Sequence, residues 1–275
     1  MTSPEPPPLP EERTTVPVWV PFFALFAVLV IVSIVGLAVY GVAKATDASV
    51  KGADDLPVSF TQALTFFQDL VFVFAAWIGV KLALGRITAA DLGLRRVRRV
   101  WPAVGWAAVA LVAFNAIGLL LAQLFGQPKD QALVGEIRAE DALAILIVWG
   151  VLVCVLAPIV EEVFFRGFMF TVFARRMGVA WAAVLDGVVF GIGHAGGAEA
   201  IQLVALGAFG VALCLLYWRT QSIIPGMALH ALNNSIAFGE ALNLDPALRV
   251  GVVVGSVGVV VAAATAVSAR TAVAA

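Results

Sequence analysis

The chain is built from long apolar runs, and that feature limits its fold more than any other. A helix rising 1.5 Å per residue needs about 20 mostly apolar residues to cross a hydrocarbon core about 30 Å thick. Such runs occupy about Val18–Ala43, Phe60–Leu84 and Pro102–Phe125, and a fourth begins near Ala142. Three shorter candidates follow at about Val179–Ala195, Ile201–Trp218 and Ile223–Phe238. The last, about Val250–Ala269, is rich in Val, Gly and Ala. Lipid does not tolerate unpaired backbone groups, so these runs are expected to be helices. The expected fold is all-α, a polytopic transmembrane bundle of about eight membrane helices.

Composition agrees and removes several function classes. The chain is 62% hydrophobic and 13% charged, against about 45–50% and about 25% in an ordinary soluble domain. That excludes a disordered chain and a secreted disulfide scaffold. With 17 basic and 18 acidic residues and a net charge of -1, no nucleic-acid partner is expected; membrane lipid is. Cys154 and Cys214 lack metal-type spacing and read as small core residues.

Four regions are expected. Residues 1–16, rich in Pro and carrying Glu5, Glu11 and Glu12, read as a flexible cytoplasmic tail. Residues 17–141 hold the first membrane helices, 142–238 a catalytic-type core, and 239–275 the last helix and tail. The first apolar run is longer than a cleaved signal's and lacks a basic lead-in, so it is expected to stay attached. Basic residues favour the inner side of a membrane. The cluster Arg95, Arg96, Arg98 and Arg99 is then cytoplasmic, and with eight spans so are both termini. The Ala/Val-rich composition fits a bacterial plasma membrane. No internal repeat is visible. The glycine-rich stretches Gly187–Gly197 and Gly251–Gly258 have no strand before them, so they read as close helix packing rather than phosphate loops.

Ionisable groups at membrane depth are costly and face the bundle interior, usually with a partner. The candidates are Asp69, Glu161, Glu162, Arg166, Asp186, His194 and His230, with Asn233 and Asn234 as uncharged polar groups. Residues four apart share a helix face, and adjacent residues diverge by about 100°. Glu162 and Arg166 can therefore pair, leaving Glu161 pointing elsewhere. Pro158 removes a backbone donor just before them. His230 and Asn234 share a face, as do Phe190 and His194. Asp69 has no evident partner and reads as structural; Asp186 reads as orienting a neighbour. Counted from the cytoplasmic ends, Glu161 and His194 lie about 21–22 Å deep, and His230 and Asn234 about 10–17 Å. Both histidines are expected within helices, near one depth.

Three motifs now stand in order: Glu161-Glu162-Val-Phe-Phe-Arg166, Phe190-Gly-Ile-Gly-His194 and His230-Ala-Leu-Asn233-Asn234. Pro158 precedes the first and Tyr217–Pro225 leads into the third, while Leu92-Gly-Leu-Arg95-Arg96 is a weaker feature upstream. Over about Ala142–Phe238 the chain resembles the CPBP intramembrane proteases. That group contains type II CAAX prenyl endopeptidases and bacteriocin-processing or immunity-type membrane proteins. The resemblance implies that Glu161 is a general base activating water with help from His194. It implies that His230 and Asn234 stabilise the oxyanion, that Glu162 and Arg166 brace the site, and that Phe190 packs beneath His194. The implied partner is a membrane-associated protein or peptide substrate.

The residues leave a metal open. Glu161, His194 and His230 form a His₂Glu set of the kind that holds catalytic zinc with one open position. No H-E-x-x-H is present, and the three groups come from three helices. The resemblance to prenyl endopeptidases implies a metal-free route, which the reading favours. Two other functions are weighed: a non-proteolytic membrane scaffold or regulator of the same family, and a transporter with a proton relay through Asp69, Asp186 and the histidines. The absent inverted repeat counts against the transporter.

Overall fold

The computed structural model describes residues 16–47, 49–52, 56–84 and 88–273. The expected tail at 1–16 lies outside the described residues except for Val16. Nine helices follow one another among those described: α1 Trp19–Thr46, α2 Val58–Leu84, α3 Val100–Phe125, α4 Ala132–Arg138, α5 Leu143–Met177, α6 Val179–Ile192, α7 Ala200–Thr220, α8 Ile224–Ala241 and α9 Pro246–Val273. No strand occurs among the described residues. The fold is a polytopic helical bundle.

All eight expected apolar runs are helices, and six of them are long and apolar enough to cross a membrane by length and composition alone. By length and apolarity α1, α2, α3, α5, α7 and α9 can cross a membrane. Helix α6 has 14 residues, about 21 Å at the helical rise. Helix α8 has 18 residues but carries His230, Asn233, Asn234, Ser235 and Glu240, which make it too polar. Both lie against other helices: α6 packs on α7, and α8 on α9 and α5. A helix sheltered by protein need be neither long nor uniformly apolar, because its polar groups face partners instead of lipid. The short helix α4 was not foreseen; its seven residues are too few to establish a periodicity.

Burial divides the bundle. Within α1 only Pro21 and Val28 are buried, and within α3 only Ala103 and Ala110. In α5, by contrast, every residue from Glu162 to Phe170 is buried. Helix α5 is the central post of the fold, and it is not regular. Leu152–Leu156 and Glu162–Phe170 are wound as π-helix, a form that often marks functional positions inside α-helices.

Helix α2 runs beside α5 in the same direction. The Gln62 side-chain amide donates to the Ile145 carbonyl (2.8 Å). Further along, the Phe72 ring lies 4.8 Å from that of Phe164. Gly79 then meets the Phe168 ring, where a Cβ would overlap it. On the other side, α6 and α7 approach through glycine: a Cβ on Gly187 would strike the Gly207 carbonyl and Val211, and one on Gly191 the Leu203 carbonyl. The packing expected of Gly187 and Gly191 therefore holds. That of Gly251–Gly258 does not, because a Cβ on Gly251, Gly255 or Gly258 would meet nothing.

The Leu92–Arg95 segment wedges between α5 and the start of α8. The Ile223 amide donates to the Gly93 carbonyl (3.0 Å), and the Ser222 hydroxyl to that of Arg95 (2.6 Å). Gly93 has φ +79°, a left-handed conformation that favours glycine, and Gly167 passes so close to the Leu92 carbonyl that a Cβ there would clash.

Candidate active site

Glu161 and Glu162 are neighbours in the chain with different surroundings. Glu162 accepts a hydrogen bond from Arg166 Nη1 at 2.9 Å, the i, i+4 pair expected from spacing. Both side chains are fully buried. The guanidinium also donates from Nη2 to the Gly210 carbonyl of α7 (3.1 Å) and lies 3.7 Å from Asp186 Oδ2 through Nε. Asp186 in turn accepts from the Cys214 thiol (3.0 Å). This array joins α5, α6 and α7. Asp186 thus orients Arg166, as expected of it, and Cys214 is buried as expected.

Glu161 stands on the other side of the same turn. Among the described residues it makes no hydrogen bond; its Oε2 is buried and unpartnered, while 20% of its side chain remains exposed. The nearest cationic-capable atom is His230 Nε2, 3.8 Å from Oε2. The other ring nitrogen of His230, Nδ1, lies 3.4 Å from Glu162 Oε1 and can donate to it. His230 therefore sits between the two carboxylates. Gly226, one turn before it on α8, leaves room for Glu162 Oε2 where a Cβ would collide.

His194 departs from expectation in its setting. It lies in the turn two residues beyond α6 rather than within a helix. The chain tightens there: the His194 amide bonds to the Gly191 carbonyl, leaving the Phe190 carbonyl free. His194 Nδ1 donates to that carbonyl at 2.9 Å, capping the helix end. The bond requires the tautomer with the proton on Nδ1, so neutral His194 presents a lone pair at Nε2. Phe190 collects the site's rings, with centroids 5.0 Å from His194 and 5.9 Å from His230, and it lies under the Arg166 guanidinium at 4.5 Å. No hydrogen bond joins His194 to Glu161 among the described residues.

Asn234 reaches α5, though at a place the sequence did not indicate. Its amide donates to the Val153 carbonyl at 2.9 Å. In the π-wound segment the Ala157 amide bonds to the Leu152 carbonyl, five residues back. The next bond in that pattern would run from residue 158 to Val153, but Pro158 has no N–H to give. Asn234 satisfies the carbonyl that Pro158 leaves open. The signal was in the sequence as a proline inside a membrane helix, but it could not name the helix that answers it.

Asp69 is without a hydrogen-bond partner among the described residues, as its sequence context suggested. It is 5% exposed, and its Oδ2 is buried. An intramembrane acid lacking a local partner was the available signal.

Among the described residues no group of three or more His, Cys, Asp and Glu side chains is arranged to hold a metal. We route no step of the chemistry through a metal.

Comparison with known proteins places this geometry. Residues 143–236 match the family described as Type II CAAX prenyl endopeptidase Rce1-like. The chain is also similar to the Bacillus subtilis (strain 168) protein named "Putative membrane peptidase YdiL", with 26% identity over 151 residues. That match spans 54% of this chain and 57% of the relative. No solved structure matches. The matched segment runs from the start of α5 into α8 and so carries Glu161, Glu162, Arg166, Phe190, His194, His230 and Asn234. Through this segment the chain is similar to the Type II CAAX prenyl endopeptidase Rce1-like family, and its long apolar helices make it a multi-pass membrane protein.

Proposed function

We propose that the chain is an intramembrane endopeptidase, hydrolysing a peptide bond of a membrane-associated protein or peptide with water activated by Glu161. One observation carries this reading: of two adjacent buried-site glutamates, Glu162 is held by Arg166 and His230, while Glu161 has both oxygens free of hydrogen bonds and faces a histidine. A general base must be within reach of the proton it takes and must not be committed elsewhere.

In the proposed step a water oxygen attacks the carbonyl carbon and passes one proton to Glu161. His194, with its proton on Nδ1, can accept a hydrogen bond from that water at Nε2. His230 has Nδ1 turned to Glu162 and presents Nε2 beside Glu161, from which an N–H donates to the developing oxyanion. Donors already fixed in place act strongly where water is scarce. The Glu161 proton then passes to the amine nitrogen as the C–N bond breaks. Asn234 holds α8 against α5 through Val153 and supports the oxyanion through its remaining N–H. With the basic cluster Arg95–Arg99 facing the cytoplasm, the site opens toward that side.

Purified protein and Glu161→Ala, incubated with membrane-segment peptides with and without a chelator, test the reading. Cleavage by the wild type alone, unaffected by chelation, is expected. Equal cleavage by both proteins overturns it. Loss on chelation that zinc restores overturns the metal-free route. If neither protein cleaves while a cellular phenotype requires the chain, it acts as a scaffold.

A further inference from the structure

His194 stands on a turn that packing does little to hold. Gly193, Ala195, Gly196 and Gly197 around it are exposed, and Gly196 has φ +96°. An exposed turn with few buried contacts sits at the low end of local stability. The imidazole is tied at Nδ1 to the Phe190 carbonyl, but it makes no hydrogen bond to Glu161, His230 or Asn234 among the described residues. Its place relative to those three is set through the backbone.

The segment between α3 and α5 reaches that backbone. The Ala132 amide opens α4 and is one of the donors that a helix start leaves unpaired; it donates to the Gly197 carbonyl (2.9 Å). The Gly197 amide in turn bonds to the His194 carbonyl (3.3 Å). Just upstream, the Lys129 amide donates to Glu199 Oε2 (3.2 Å), and the Lys129 carbonyl accepts from Gln202 Nε2 (2.9 Å). Gln202 also accepts at Oε1 from the Glu199 amide (2.8 Å), so one side chain caps α7 and grips the segment. At the other end of α4, Ile137 is buried with Trp149 of α5 and with Phe238 and Ala241 of α8. Arg138 pairs with Asp130 and donates from Nε to the Ala241 carbonyl (3.4 Å).

We propose that residues 129–138 form a strap that sets the His194 turn against α5 and α8, with Gln202 as a positioning residue. One end of the strap is fixed on the helices that carry Glu161, His230 and Asn234, and the other on the turn that carries His194. This rests on the hydrolytic reading above, in which His194 Nε2 accepts a hydrogen bond from the attacking water. Displacing a reacting group by about 1 Å can cost about 10²-fold in rate.

Two substitutions cut the strap while suiting the helices it touches. Ala132→Pro removes the N–H given to Gly197, yet proline is favoured at a first helical position. Gln131 before it already has the extended ψ, 150°, that proline imposes on its predecessor. Gln202→Glu keeps the acceptor for the Glu199 amide, as in a capping box, but has no N–H for the Lys129 carbonyl. The chain has two histidines, so NMR of the histidine-labelled full chain in lipid separates them, with His194→Gln giving the assignment. Each strap variant is expected to shift or broaden the His194 signals and leave those of His230 in place. On a cleaved membrane peptide the double variant is expected to lower kcat by about 10²-fold at nearly unchanged KM and unfolding temperature. In a His194→Gln background it is expected to cost nothing further. Unchanged His194 signals in both variants overturn the proposal. So does wild-type kcat in the double variant, or a loss that persists in full without His194. If the His194 signals move while the wild type cleaves no peptide, the strap stands and the hydrolytic reading falls.

Discussion

The two faces of one helical turn differ more than the two ends of the molecule. On the face of Glu162 and Arg166, charges from α5 and α6, a backbone carbonyl of α7 and a histidine of α8 are linked by contacts of 2.9–3.7 Å. Glu162 Oε2 and Asp186 Oδ1 are unpartnered there, but each belongs to a carboxylate whose other oxygen is engaged. On the face of Glu161 the carboxylate makes no hydrogen bond among the described residues. A protein can bury a charge for architecture by saturating it, or for chemistry by leaving it reactive. On the proposed reading the same residue type does both, one position apart.

The largest break in that comparison comes from the saturated face. Arg166→Met removes the cation and leaves Glu162 and Asp186 buried without it. Breaking one partner of a buried pair costs about 3–5 kcal/mol, so equilibrium unfolding in mixed detergent is expected to shift by that amount, with folded yield falling. An unfolding midpoint equal to wild type would mean that the array holds nothing together.

On the reactive face, His230→Gln is expected to lower kcat by about 10²–10³-fold, the range for losing one oxyanion donor. The folded fraction is expected to survive, since Gln keeps an amide facing Glu162. Steady-state kinetics beside a thermal scan separate the two. Loss of fold with kcat intact would move His230 to the structural side.

The Asn234–Val153 contact joins the faces and should show a smaller effect. Asn234→Ala leaves a carbonyl open and is expected to destabilise by about 1–3 kcal/mol. Pro158→Ala supplies an N–H that can reach the same carbonyl. In a double-mutant cycle the two changes should therefore couple, by at least about 0.5 kcal/mol. Strict additivity would sever the link between the proline and the asparagine.

The sequence exposed much of this arrangement, for identifiable reasons. Long apolar runs announce spans, and the i, i+4 spacing of Glu162 and Arg166 announces a pair, because both are local signals. Of the eight apolar runs, α6 is short and α8 polar for a span judged by length and composition alone, and both lie against other helices. His194 was assigned to a helix because apolar content continues past Ile192; the turn that frees the Phe190 carbonyl leaves no such mark. Registers between helices were out of reach. Nothing local shows that Asn234 answers Pro158 from 76 positions away. The π-winding of Glu162–Phe170 was equally invisible, since no local residue pattern marks it.

The central claim is that Glu161 is reactive and Glu162 structural, and one side-by-side measurement addresses it. Wild type, Glu161→Gln and Glu162→Gln would be compared in the same lipid vesicles for cleavage of a quenched fluorescent membrane-segment peptide and for unfolding temperature. Glu161→Gln is expected to lose about 10²–10⁴-fold in kcat at an unchanged unfolding temperature, and Glu162→Gln to unfold earlier. Wild-type cleavage by Glu161→Gln, or the reverse division of effects between the two glutamates, would contradict the account.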